Sequence, residues 1–327
     1  MPIKNGNFAV LEALQFEMRK DPHLTHLYEF QRPTAVSNTG KVIDLFAEFG
    51  QPRIPDWGPI DEEWFLGGGL GMALSGVRTI VHVPGMTTMR AIDFVFNQAS
   101  MMRYMSGGQL SVPLVIWQDI SGRQAGSGPQ HANAGQEVHY AAIPGIKVVV
   151  PANPYDAKGL MHAALRDPDP VIFFHYAAMN NVLIDVPDND YVIPIGEAAI
   201  RQEGKDITLV GYGPAAVEIS KAVAGLKQAN ISAEVIDPRS VKPMPIDAIA
   251  GSVRKTGRLL VVDHGHETCG TAAEVVAGVA TRVSGAKFAR LTFPDAPAPA
   301  AAEMITWMIP DAPKIVAAAR KMVVAGG

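Results

Sequence analysis

An α/β fold of two doubly wound domains follows from three features of this sequence. Short β-branched runs alternate with longer helical patterns, the runs are continuously apolar rather than alternating, and the rhythm breaks once at Asp185-Val-Pro-Asp-Asn-Asp190. Continuous apolar runs suit strands buried on both faces. Their alternation with helices implies parallel sheets sandwiched by helices. At 327 residues the chain exceeds the usual single-domain size. The polar, turn-rich break therefore divides it into domains of residues 1–190 and 191–327.

The first helix is read over Phe8–Lys20 and a second over Leu70–Ser75, ahead of a strand at Thr79–Val83. Met89–Tyr104 has helical spacing, and Val112–Ile116 and Lys147–Val150 are strand candidates. The helix over Pro154–Leu165 has the clearest start. Asn153 caps it, Pro154 suits the first helical position, and Asp156 places negative charge in the first turn. Val171–His175 closes the first set of strands. Beyond the break the pattern restarts with the strand Ile207–Val210, the helix Ala215–Ala229 and the strand Ala233–Ile236. The strand Leu259–Val262 and the helix Thr271–Val283 complete it.

Composition excludes several classes. Apolar residues make up 48% and charged residues 18%, enough for large cores and unlike a disordered chain. A net charge of −4, from 32 acids and 28 bases, offers no concentrated basic face for nucleic acid. The single cysteine, Cys269 in Thr-Cys-Gly-Thr, excludes an internal disulfide, fits a reducing cytosol, and reads as a small space-filling residue. No apolar run is long enough to span a membrane, and the N-terminus shows no signal core, so a cytoplasmic protein is expected. Methionines at 86, 89, 101, 102 and 105 suggest adaptable packing at a subunit interface.

Few segments carry chemistry by themselves. Gly126-Ser-Gly-Pro-Gln-His131 mounts a lone imidazole on a loop after an apolar strand, where α/β proteins place function. Gly67-Gly-Gly-Leu-Gly71 fails the dinucleotide spacing and lacks a Walker lysine, and reads as close approach of a helix start to another backbone. Asp61-Glu62-Glu63 reads as a helix start, with Asp61 as cap and the glutamates at the positive end. His264-Gly-His266-Glu267 has no second cluster at metal-site spacing, and no Gly-x-Ser-x-Gly elbow occurs.

Taken together the segments point further. In order they run Pro59-Ile-Asp-Glu62, Gly71-Met-Ala-Leu-Ser-Gly-Val-Arg78, Ala91-Ile-Asp-Phe-Val-Phe-Asn97 and Tyr104-Met-Ser-Gly-Gly108. Gly128-Pro-Gln-His131, Pro144-Gly-Ile-Lys-Val-Val-Val-Pro151, Pro154-Tyr-Asp-Ala-Lys-Gly-Leu160 and Arg166-Asp-Pro-Asp-Pro-Val-Ile172 follow. The second half adds Val235-Ile-Asp-Pro-Arg-Ser-Val-Lys-Pro243 and Lys255-Thr-Gly-Arg-Leu-Leu-Val-Val-Asp263. This ordered set resembles the beta subunit of the thiamine-diphosphate-dependent 2-oxoacid dehydrogenases, the decarboxylating component of the pyruvate, branched-chain and acetoin type.

The resemblance implies a pyrimidine-binding transketolase-like domain followed by a transketolase C-terminal-like domain. It implies thiamine diphosphate shared with an alpha subunit, whose Gly-Asp-Gly motif would hold diphosphate and Mg, in an alpha2-beta2 heterotetramer. No Gly-Asp-Gly occurs here, as a beta subunit requires. A lipoyl acyltransferase is a further implied partner. Glu62 matches the family glutamate that hydrogen-bonds the pyrimidine ring and promotes its imino tautomer. His131 matches an active-site histidine, and Tyr104 a tyrosine lining the pocket. The family's potassium loop maps onto Leu114, Ala164, Leu165, Asp167 and Asp169. Three departures stand out. His82-Val-Pro-Gly-Met-Thr-Thr88 replaces a Phe-rich stretch that includes an aromatic packing on the pyrimidine. Ala142 stands near the place of a second histidine, and His26-Leu-Tyr-Glu-Phe-Gln-Arg32 replaces Gly-Glu-Asp-Val. Two other readings share these features: a split transketolase-like, carboligating subunit, and a non-catalytic assembly subunit.

Overall fold

The computed structural model describes residues 2–29, 32–55, 60–120 and 135–324. Two compact units divide the chain, one built from residues up to Ile120 and from His139–Ile195, the other mainly from residue 196 onward.

In the first unit five strands lie parallel: β1 (Thr25–Tyr28), β2 (Thr79–Pro84), β3 (Leu114–Ile120), β4 (Lys147–Val149) and β5 (Val171–Tyr176). Their spatial order is β4-β5-β3-β2-β1. Side chains alternate across the sheet, so β3 sends Val115 and Trp117 one way and Leu114 and Ile116 the other. Val115, Trp117, Ile80 and Phe173 share a core with α1 (Gly6–Lys20) and α4 (Pro154–Arg166). The opposite face takes α2 (Glu62–Leu74). Gly69 permits that contact, since a Cβ there would overlap Cγ2 of Val81. The glycine run thus lies within the helix and approaches strand side chains, rather than bringing a helix start onto another backbone. Asn153 caps α4 as expected, its Oδ1 accepting from the Asp156 amide at 2.9 Å.

The second unit pairs β6 (Ala199–Gln202), β7 (Ile207–Val210), β8 (Ala233–Asp237), β9 (Arg258–His266) and β10 (Lys287–Phe293) in the order β6-β8-β7-β9-β10. Only the edge pair β6–β8 is antiparallel among these neighbours. Helices α5 (Gly213–Gln228) and α9 (Ala312–Val324) cover one face, α6 (Ile246–Thr256) and α7 (Thr271–Ala280) the other. Helix α8 (Ala302–Met308) precedes α9.

The α/β class holds, with several elements redrawn. The helix expected over Leu70–Ser75 starts at Glu62, because Asp61 caps it. The helical stretch Met89–Tyr104 is broken into a 3₁₀ turn (Gly85–Ala91), a π turn (Phe94–Ala99) and a short helix (Met102–Met105). Strand β3 starts two residues later than expected and runs on through Trp117-Gln-Asp-Ile120, whose polar Gln118 and Asp119 end an apolar run. Cys269 is exposed, at φ 55°, and fills no core space. Among the described residues no helix is long and apolar enough to cross a membrane.

Candidate active site

Asp61 and Glu62 divide two tasks at the start of α2. The Asp61 carboxylate accepts from the amides of Glu63 (3.0 Å) and Trp64 (3.3 Å), which satisfies the helix end. Glu62 is thereby released from capping. Its side chain is buried, with Oε2 3.8 Å from Nη1 of Arg90 at the end of the 3₁₀ turn.

A second carboxyl joins it. Glu29 follows directly on β1, and its amide donates to the His82 carbonyl (3.1 Å), extending the ladder with β2. Both Glu29 carboxylate oxygens are buried without a hydrogen-bond partner among the described residues. Burial, then the negative charges of Glu62 and Asp61, push this carboxyl up to about 7, against the opposing pull of Arg90. Two carboxyl groups and one guanidinium therefore gather at the carboxyl edge of β1 and β2, where open α/β sheets mount their ligands.

The other face of the same sheet edge carries an imidazole–carboxylate array. Asp119 on β3 accepts from Trp117 Nε1 (3.0 Å), lies 2.8 Å from His82 Nε2 on β2, and 3.1 Å from His175 Nδ1 on β5. Burial alone would raise the Asp119 carboxyl, but the charges and hydrogen bonds of His82 and His175 outweigh it and hold it well below the usual carboxylate range. The His82 ring stacks on Trp117 with centroids 4.0 Å apart. The fully buried His26 stacks beyond His82, and desolvation keeps its imidazole well below its ordinary value, hence neutral. Parallel rings hold their lone pairs in parallel planes, so His26 and His82 do not converge on one cation. Among the described residues no three His, Cys, Asp or Glu side chains are arranged to hold a metal.

Of the residues singled out in the sequence, Glu62 lies in the carboxyl cluster, and His131 with its hexapeptide lies outside the described residues. Tyr104 is 89% exposed on the short helix Met102–Met105. Leu114, Ala164 and Leu165 are core residues. Asp167 pairs with Lys147 (2.7 Å) and Asp169 with Arg103, so both carboxylates of the potassium set already face a cation. Nδ1 of His266 donates to the Pro294 carbonyl (2.9 Å) rather than joining a metal clamp. Sequence reasoning missed Glu29 and Arg90. For Glu29 a signal existed, because it directly follows Thr25-His-Leu-Tyr28, a short run whose two polar members hide a strand.

The family model for the transketolase pyrimidine-binding domain matches residues 5–177, the span holding Glu29, Glu62 and Arg90. The model for the transketolase C-terminal domain matches residues 196–315. The chain is 35% identical to the acetoin:2,6-dichlorophenolindophenol oxidoreductase subunit beta of Bacillus subtilis (strain 168), over 94% of both chains. It is 38% identical to the mitochondrial pyruvate dehydrogenase E1 component subunit beta of Pisum sativum, over 85% of this chain and 79% of that one. The chain belongs to the beta-subunit family of the thiamine-diphosphate-dependent 2-oxoacid dehydrogenases. Beta subunits of this family thus have another member in Rhizobium meliloti (strain 1021), a pyruvate dehydrogenase E1 component subunit beta 39% identical over 84% of this chain and 60% of that one. Among solved structures, a chain described as split gene transketolase, inactive beta4 tetramer, superposes with a TM-score of 0.80 over 98% of both chains. At 19% identity that likeness speaks for the fold alone.

Proposed function

We propose that this chain is the beta subunit of an alpha2-beta2 enzyme that decarboxylates a 2-oxoacid and passes the acyl group to a lipoyl or other acceptor. The observation that carries the reading is Glu62, buried at the start of α2 beside the raised carboxyl of Glu29, whose oxygens have no partner among the described residues. Buried oxygens without a donor fit a ligand that brings donors, as an aminopyrimidine does. Glu62 would hold the pyrimidine ring of thiamine diphosphate, which when bound supplies the carbanion that cleaves the bond next to the 2-oxo group.

The chain's own residues then have separable tasks. Glu62, buried at the start of α2, would hydrogen-bond a ring nitrogen and orient the heterocycle. Glu29, pushed up to about 7, carries less negative charge near neutrality than an ordinary carboxylate would. His131 donates to the substrate carboxylate. Diphosphate and its Mg belong to the alpha subunit, since no Gly-Asp-Gly occurs in this chain. Potassium is assigned no step; the loop that matches its site would hold it mostly through backbone carbonyls, while the side chains of Asp167 and Asp169 pair with Lys147 and Arg103.

Replacing Glu62→Gln in the complex with the alpha subunit should lower turnover by about 10²–10⁴-fold, the range of a lost general acid–base group. Full activity in that variant would sink the reading. Comparing lipoamide with an artificial dye as acceptor for the wild-type complex identifies the second half-reaction.

A further inference from the structure

Arg90 is the cation of the carboxyl cluster, yet its side chain is 67% exposed, so its own packing does not aim it. The 3₁₀ turn that carries it does. That turn begins at Gly85, where a Cβ would overlap the Ile120 side chain, so its start lies hard against the end of β3. Two residues before Arg90, Thr88 is fully buried, and its hydroxyl donates to the Gly85 carbonyl (2.9 Å). With that proton committed, the same oxygen accepts from Gln118 Nε2 (3.0 Å) and from the Tyr140 hydroxyl. Gln118 and Tyr140 are also fully buried. One oxygen therefore joins the turn to β3 and to the helix α3 (Glu137–Ala141).

Stability alone does not account for this choice of residues. The Gln118 Oε1 atom is buried with no hydrogen-bond partner among the described residues, a defect that costs about 1–3 kcal/mol. What the glutamine retains is its donor to Thr88. Locally unfavourable choices of this kind collect where a site must be held in place.

We propose that Thr88, locked by Gln118 and Tyr140, is a positioning residue that aims Arg90 at the Glu29–Glu62 carboxyl pair. The groups facing Glu29 are Glu62 and Asp61 from the start of α2 and Arg90 from the turn, and Arg90 alone among them favours its ionised form. Removing or misaiming Arg90 therefore moves the Glu29 midpoint upward. The proposal rests on the assignment of this cluster as the cofactor site, but its primary test does not need activity.

The test follows the side-chain carboxyl signals of Glu29 by ¹³C NMR titration in the full chain, with cooperative thermal unfolding as the check on folding. Arg90→Gln should raise the Glu29 midpoint by about half a pH unit, less than an unscreened neighbouring charge would give because the guanidinium is exposed. Thr88→Val should raise it by a similar amount, Thr88→Ser should leave it at the wild-type value, and Thr88→Val with Arg90→Gln should add nothing to Arg90→Gln alone. If Thr88→Val does not fold, Tyr140→Phe carries the same expectation. A folded Thr88→Val or Tyr140→Phe chain with an unmoved midpoint overturns the proposal, as does an Arg90→Gln chain without a shift. Full turnover in Glu62→Gln would remove the catalytic reading yet leave these shifts intact.

Discussion

At the residue scale, the chemistry depends on adjacent carboxylates receiving different neighbours. Asp61 meets two amides and becomes a cap, while Glu62, one residue on, meets a guanidinium and a second carboxyl. Sequence spacing places both residues at a helix start, but the capping geometry is what decides which one remains available. Glu29 lies beyond that reasoning, because its environment comes from residues 33 and 61 positions away. Its raised carboxyl makes a stability prediction with a definite sign. A folded value of about 7 against an ordinary 4.5 means that the folded chain binds the extra proton, so stability falls as pH rises between these values. Glu29→Gln should therefore raise the melting temperature at pH 8, by an amount corresponding to about 2–3 kcal/mol. The gain should fade toward pH 4.5. Thermal unfolding across pH checks it, and an equal gain at both ends would contradict the assignment.

At the element scale, α1 and α4 show the limits of apolar patterning. The apolar positions of both helices were legible, and they build the core beneath the sheet. Their charged positions were not, since nothing in local spacing says that Glu17 on α1 will meet His162 (2.6 Å) and Arg166 (2.5 Å) on α4. The same holds for Glu12, which Lys4 (2.5 Å) and Lys158 (2.8 Å) enclose. Burial pushes both glutamates up, but hydrogen bonds and charge from these partners prevail and hold them below the ordinary value of 4.5. Stability from a lowered carboxyl is present above its unfolded value and lost as pH falls through the folded one. The first unit should accordingly weaken below pH 4.5. Glu17→Gln should cost about 3–5 kcal/mol at pH 7, the range for breaking a buried pair, and less at pH 3. Chemical unfolding at the two pH values measures this, and a pH-independent cost would refute it. Broken helices were the other blind spot. Met89–Tyr104 has helical spacing, but it begins inside a 3₁₀ turn that Gly85 seats against Ile120 and Thr88 ties back to Gly85, and those tertiary demands override the period at its start.

At the scale of the whole molecule, the class was legible because buried parallel strands must be continuously apolar, and that pattern survives without knowledge of any partner. The edge strands β6 and β10 were missed for the converse reason: their half-exposed faces admit Arg201, Lys287 and Arg290 and dilute the apolar signal. A larger fact about the molecule lies in what its two domains are expected to lack. On the proposed function, the pyrimidine-binding domain would supply buried carboxyls for the heterocyclic end of thiamine diphosphate, but the sequence offers no Gly-Asp-Gly motif for the diphosphate and Mg. Affinity for the intact cofactor should then require two chains. A ligand that binds only the folded state stabilises it by RT ln(1 + [L]/Kd), about 2.7 kcal/mol at a hundredfold excess over Kd. Thiamine diphosphate with Mg should therefore leave the unfolding midpoint of the isolated chain unchanged. With the Gly-Asp-Gly partner present it should raise that midpoint, and Glu62→Gln should shrink the increment without preventing assembly. Differential scanning fluorimetry of the chain, the partner and their mixture separates these outcomes. A full cofactor-dependent rise in the isolated chain would mean that it holds the whole site itself, and would overturn the division between subunits.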